Sequence, residues 1–292
     1  MKPFDTARRG IKKPAMKRTF LSKLHRNGLY CIIGALGLLL GVPLYQFLVL
    51  IPSGYSNALA TQSLALHWIN THILQFLGYR ALLIAGFSLI ISLPFTFFRI
   101  IVAQEILQRE EIEQKEEDEE EDQEQQKEKG QIDSEQADGI PSFAWRGQGY
   151  AVVAAWAGLF GLLFFAGGTL ASSLYLVISA ANISSQIPIS DNVAPLTGLF
   201  AIITFTVGGG LLALSCLFFG AVIARRGLKL WPGIWVAFSY IALALAVLFS
   251  ASAVEVAFAP NAGQPLLTTP AILLFAVWTL LFGIMLVRLK PE

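Results

Sequence analysis

The chain reads as an all-α integral membrane protein with six transmembrane helices, both termini in the cytoplasm, and a largely disordered acidic cytoplasmic loop between the second and third spans. Three observations predict this. Hydrophobic residues make up 55% of the 292 positions and charged ones 14%, with a mean hydropathy of +0.61, which excludes the soluble globular class. The charges are also segregated: residues 105–138 hold 16 of the 20 acidic residues against only Arg109, Lys115, Lys127 and Lys129, a net of −12. Finally, of the 21 Lys and Arg, 20 fall on one side of the six-span arrangement and Arg80 stands on the other, a positive-inside partition that puts the termini and the acidic run in the cytoplasm. The formal net charge of +1 conceals this asymmetry.

The N-terminal arm, residues 1–28, carries nine Lys or Arg against Asp5, a net of +8. Its residues Arg8, Arg9, Lys12, Lys13, Lys17 and Arg18 are the candidates for contact with anionic lipid, worth roughly 1 kcal/mol per basic residue near the surface. The plainer alternative is that they only set topology. The pair Arg8-Arg9 lacks the serine and following pattern of a twin-arginine export signal. The apolar run Leu29 to Ile51 is too long for the core of a signal peptide and has no small-residue cleavage site, so it is predicted as the first span, kinked near Pro43.

Residues 52–80 place Leu59, Leu66, Trp68, Ile69, Ile73, Phe76 and Leu77 at roughly helical intervals, which predicts an interfacial or short re-entrant helix on the far surface. His67 and His72 lie within it, but a spacing of five puts two imidazoles on different faces, and no Cys, Asp or Glu is near in sequence to complete a metal site. The second span is predicted over Ala81 to Val102, with Pro94 as a kink and Arg99 snorkelling from its end. Residues 29–103 thus form the first membrane segment.

Residues 104–149 form the acidic cytoplasmic loop. Between Glu113 and Gln131 there is no apolar side chain, so nothing offsets the entropy of ordering the backbone. Glu116, Glu117, Asp118, Glu119, Glu120, Glu121 and Asp122 repel one another at every helical spacing, and the only seam residues available are Ile106, Leu107 and Ile112, too few for a coiled coil. Those seven acids are the candidates for binding a basic protein surface; the plainer alternative is a solvated spacer.

Residues 150–289 carry four further apolar segments, Tyr150 to Val177, Leu196 to Ile223, Ile234 to Ala253 and Pro270 to Val287, each long enough to cross about 30 Å of hydrocarbon. Small residues recur, mostly at spacings of three and four: Gly34, Gly37 and Gly41 in the first span, Ala154, Gly158, Gly161, Gly168 and Ser172 in the third, Gly209, Ala213, Cys216 and Gly220 in the fourth. Such faces let helix backbones approach closely, so these glycines are predicted at helix contacts. The same faces could instead line a solute path, with Gly208, Gly209 and Gly210 breaking the fourth helix as in some transporters.

No span carries Asp, Glu, Lys, Arg or His near its centre, which disfavours ion-coupled carriers and proton relays. No Ser/His/Asp set, HExxH or phosphate loop is present, so neither catalysis nor a metal or cofactor is expected. Cys31 and Cys216 fall inside apolar segments, where a thiol acts as a small hydrophobe. Internal symmetry between the two halves is not visible. The reading is a non-catalytic scaffold, assembly or regulatory factor that contacts partners through its acidic loop and lipids through its arm, with no nucleic-acid role and possible homo- or hetero-oligomerisation. A permease or channel subunit for a neutral or lipidic solute is the alternative. The expected location is a bacterial inner membrane, with an internal membrane such as a thylakoid as the other choice.

Overall fold

The computed structural model describes residues 16–58, 61–104, 144–183, 193–229, 231–260 and 266–289. The acidic residues Glu116 to Asp122 and the basic residues Arg8, Arg9, Lys12 and Lys13 lie outside them, as does the predicted disorder of the loop. Among the described residues the chain is helical without strands, and six helices are long and apolar enough to cross a membrane: Ser22–Leu50, Ile73–Gln104, Gly149–Asn182, Leu196–Arg226, Gly233–Phe258 and Thr268–Val287. This is the pattern of a multi-pass membrane protein.

Each span packs on its neighbours in chain order, and the sixth closes back onto the first. One core results, with buried residues from every span, among them Cys31, Phe87, Leu162, Phe219, Phe238 and Trp278. The membrane segments on either side of the acidic run therefore share a single interior. Its centre is aromatic. Phe97, fully buried in the second half of span two, has its ring centroid 3.9 Å from Phe282, 5.0 Å from Phe219, 5.1 Å from Trp278 and 5.7 Å from Phe238. Pro94 lies one turn before it and packs at Gly158, so the expected kink site doubles as a contact that brings Phe97 into the bundle. Arg99, two residues on, is exposed.

The start of span two differs from expectation, and the alternative of a broken fourth helix is not what the structure has. The segment before span two forms the short helix Gln62–Thr71, which buries Leu66, Trp68 and Ile69, and it stops at His72; the second span then starts at Ile73 rather than Ala81. The cause is local. His72 leaves the helical region of the backbone (φ −126°, ψ 37°), its amide closing the last turn on Trp68 O at 2.9 Å while its own carbonyl accepts from the Phe76 amide at 3.0 Å and so opens span two; Thr71 Oγ1, 3.0 Å from Trp68 O, and His72 Nδ1, 3.2 Å from the same oxygen, cover the end of the short helix. The fourth span is not broken at Gly208, Gly209 and Gly210. A π-helical stretch, Ile202–Val207, runs directly into the α-helix Gly208–Arg226.

Candidate functional site

The glycines chosen from spacing divide sharply. A Cβ at Gly34 would stand 2.9 Å from the Gly86 carbonyl, one at Gly158 would stand 2.8 Å from Pro94 and 2.6 Å from Ser215 Oγ, and one at Gly161 would stand 3.0 Å from the Leu212 amide. Gly168 abuts Thr204, and a Cβ at Gly220 would come within 2.9 Å of the Ser239 carbonyl. At Gly209 the nearest atom, Phe249 O, is 3.8 Å away, an ordinary contact. Gly37 and Gly41 do not sit at a contact: nothing lies within 4 Å of a Cβ at either. They fall in a π-helical stretch, Gly37–Gly41, which advances less per residue than an α-helix and turns Gly41 away from the face that Gly34 presents. That side of span one also carries Leu40, Leu44, Phe47 and Leu48, all exposed.

Spacing missed the closest approach of a glycine to another helix's backbone. Gly28 of span one and Gly283 of span six face each other, and a Cβ on Gly283 would stand 2.7 Å from the Gly28 carbonyl. Gly28 lies in the basic flank of span one, outside the apolar window where small residues were sought, and the sixth span, with Thr279 and Ala276 one and two turns before Gly283, holds no second glycine.

Buried polar residues among those described are all Ser or Thr: Thr96, Thr169, Ser173, Ser179, Thr204, Ser215, Ser239, Ser252, Thr268 and Thr279. Ser252 Oγ lies 2.5 Å from Thr268 Oγ1, tying span five to span six, and the half-buried Thr206 donates from Oγ1 to Ala253 O at 3.1 Å, tying span four to span five. Near the arm, Asn27 Nδ2 donates to Thr96 Oγ1 at 2.9 Å and His25 Nε2 lies 2.8 Å from Leu289 O. At the opposite end Glu255 accepts from the Leu266 and Leu267 amides at 2.7 and 3.0 Å, capping the entry to the sixth span with a carboxylate.

The richest polar cluster lies at that opposite end, around the start of span two. Trp68 donates from Nε1 to Ser53 O at 2.7 Å, its ring stacks on His72 at 4.8 Å and tilts against Tyr55 at 4.8 Å. His67 is exposed, so the two histidines serve separate ends, and among the described residues no group of three or more His, Cys, Asp or Glu is placed to hold a metal ion. Tyr45 Oη donates to Gln75 O at 3.2 Å across the face that Gly78 leaves bare, and Gln46 Nε2 donates to Tyr79 Oη at 3.0 Å. Arg80 is half-buried here with its guanidinium 5.2 Å from the Phe76 ring centre and 5.9 Å from that of Tyr79. Its Nε is buried without a hydrogen-bond partner, as is Gln75 Oε1. Burial pushes the Tyr55 hydroxyl above its usual range, partly offset by the Arg80 charge.

Comparison with family models, with characterised proteins and with solved structures finds no match to this chain. Function must be argued from these residues.

Proposed function

We propose that this chain is a non-catalytic multi-pass membrane protein, a scaffold, assembly or regulatory factor that holds its acidic segment in the cytoplasm for contact with a basic partner surface. Both termini are assigned to the same side, where the arm meets anionic lipid. The observation that carries the reading is the filled interior: the centre of the bundle is occupied by stacked aromatic rings, and every fully buried polar side chain among the described residues is a hydroxyl. A carrier needs a polar or ionisable group that changes partners at membrane depth, and close-packed rings offer none. The permease alternative draws only on the π-helical stretches in spans one and four, a feature often found at functional sites. Deleting residues 105–138 separates the two. A scaffold loses its co-purifying protein while keeping the thermal stability of the membrane part; a permease keeps its flux in proteoliposomes.

A further inference from the structure

Arg80 is the residue whose surroundings ask for something the described chain does not supply. Glu255 is the only carboxylate among the described residues, and it is engaged by the Leu266 and Leu267 amides. A half-buried guanidinium with a desolvated, unpartnered Nε is costly to leave so, because a buried donor without an acceptor forfeits its bond to water. The rings of Phe76 and Tyr79 return part of that by facing the cation, but they accept no N–H.

Depth says what is within reach. Span two has 32 residues, about 48 Å at roughly 1.5 Å per residue, against about 30 Å of hydrocarbon. Shared between its ends, the excess is about 9 Å each, so Arg80, seven residues after Ile73, falls at the boundary between acyl chains and headgroups. Tyr45, Tyr55, Trp68, Tyr79 and Tyr175 surround that level in one packed cluster, the residue types that favour a membrane interface. Phosphate oxygens of lipids are the abundant acceptors at this depth, and a guanidinium is shaped to take two of them at once.

We propose that Arg80 and the aromatic cluster around it form a binding site for the phosphate of a lipid headgroup, on the membrane face opposite the basic arm. Tyr55 packs on Trp68 in the same cluster, its ring centre 4.8 Å away, and brings a further hydroxyl to it. The site is independent of the scaffold reading above, since it uses neither the acidic run nor a protein partner.

The test uses the full chain, purified in a neutral detergent, with Arg8, Arg9, Lys12, Lys13, Lys17 and Arg18 changed to Gln so that the arm's candidate lipid contacts are removed. Bound phosphatidylglycerol is counted by native mass spectrometry and its effect on Tm is recorded, for the parent, Arg80→Gln and Arg80→Lys. The expected result is one tightly bound lipid in the parent, affinity lowered on the order of tenfold or more in Arg80→Gln, and an intermediate loss in Arg80→Lys, which keeps the charge without the fork. If Arg80→Gln does not fold, the Arg80→Lys titration decides, and unaltered affinity there overturns the site. Equal lipid stoichiometry and Tm shift in parent and Arg80→Gln would overturn it. So would an equal shift with inorganic phosphate alone, which would make the ligand a soluble oxyanion. A third refutation is intramolecular: Arg80→Gln and Asp191→Asn lowering Tm by the same amount, with the double variant no worse, would show that Arg80 has its partner within the chain.

Discussion

Replacing Gly283 by Ala adds one methyl group at the crossing where a glycine comes nearest to another helix's backbone. The new Cβ would stand 2.7 Å from the Gly28 carbonyl oxygen, 2.8 Å from Ile32 Cγ1 and 3.1 Å from the Ile32 amide nitrogen. Comfortable separations are about 3.5 Å, so the overlap with the carbonyl is about 0.8 Å. Two of the three obstructing atoms are backbone, which no rotamer change can move. The first and sixth spans must therefore separate, and a gap of 0.5 to 1 Å forfeits roughly a quarter to a half of each contact along the crossing. Overpacking of this kind costs about 1 to 3 kcal/mol, roughly five- to 150-fold in the folding equilibrium. Gly37→Ala is the matched control in the same bundle: it meets nothing within 4 Å and should change stability by no more than about 0.5 kcal/mol. The assay is unfolding of the purified chain in mixed micelles of rising anionic-detergent fraction, followed by tryptophan fluorescence, to which the fully buried Trp278 contributes. Equal midpoints for Gly283→Ala and Gly37→Ala would refute the claim that close backbone approach, and not glycine content, sets the packing.

Phe97→Ala should cost about 3 to 5 kcal/mol in the same unfolding assay, since the ring is fully buried against four others and no neighbour can fill its place; a loss below about 1 kcal/mol would mean the stack is not the core. Glu255→Ala should cost about 1 to 2 kcal/mol, because it leaves the Leu266 and Leu267 amides without their acceptor, and Glu255→Gln should recover part of this; no change in either variant would remove the cap from the account. For topology, single cysteines at Ser190 and Gln264, in a background with Cys31 and Cys216 replaced, should react with an impermeant thiol reagent from outside intact cells, while one at Gln126 should not. Labelling at Gln126 would sink the assigned orientation. A tethered peptide of residues 104–139 should retain protein from a membrane extract at 0.1 M salt and release it near 1 M, where the Debye length falls from about 10 to about 3 Å; retention equal to that of a scrambled peptide would leave charge alone as the explanation.

Periodicity and charge were enough to read the six apolar helices, because a bilayer imposes length and hydropathy on each span separately and those are local properties of the sequence. Local signals also located Pro94, Arg99 and a short helix with Trp68, whose spacing survives in Gln62–Thr71. What a span faces is not local. Gly34, Gly37 and Gly41 look alike along the chain, yet only Gly34 meets another backbone, because Gly37 lies three residues on, about 60° around the helix, and the π-helical stretch that starts there turns Gly41 off the shared face. Gly28 and Gly283 are 255 positions apart and neither has a second glycine at helical spacing in an apolar window, since a helix crossing needs one small residue on each side and not a glycine stripe on either. The same holds for Arg80. Its sequence showed a lone cation on the far side, while the surrounding rings, the unpartnered Nε and the common core of both membrane segments exist only once six helices close on one another. Composition thus decided where this chain resides, and tertiary packing decided which of its residues meet, because the solvent acts on each segment alone and contact geometry depends on all six together.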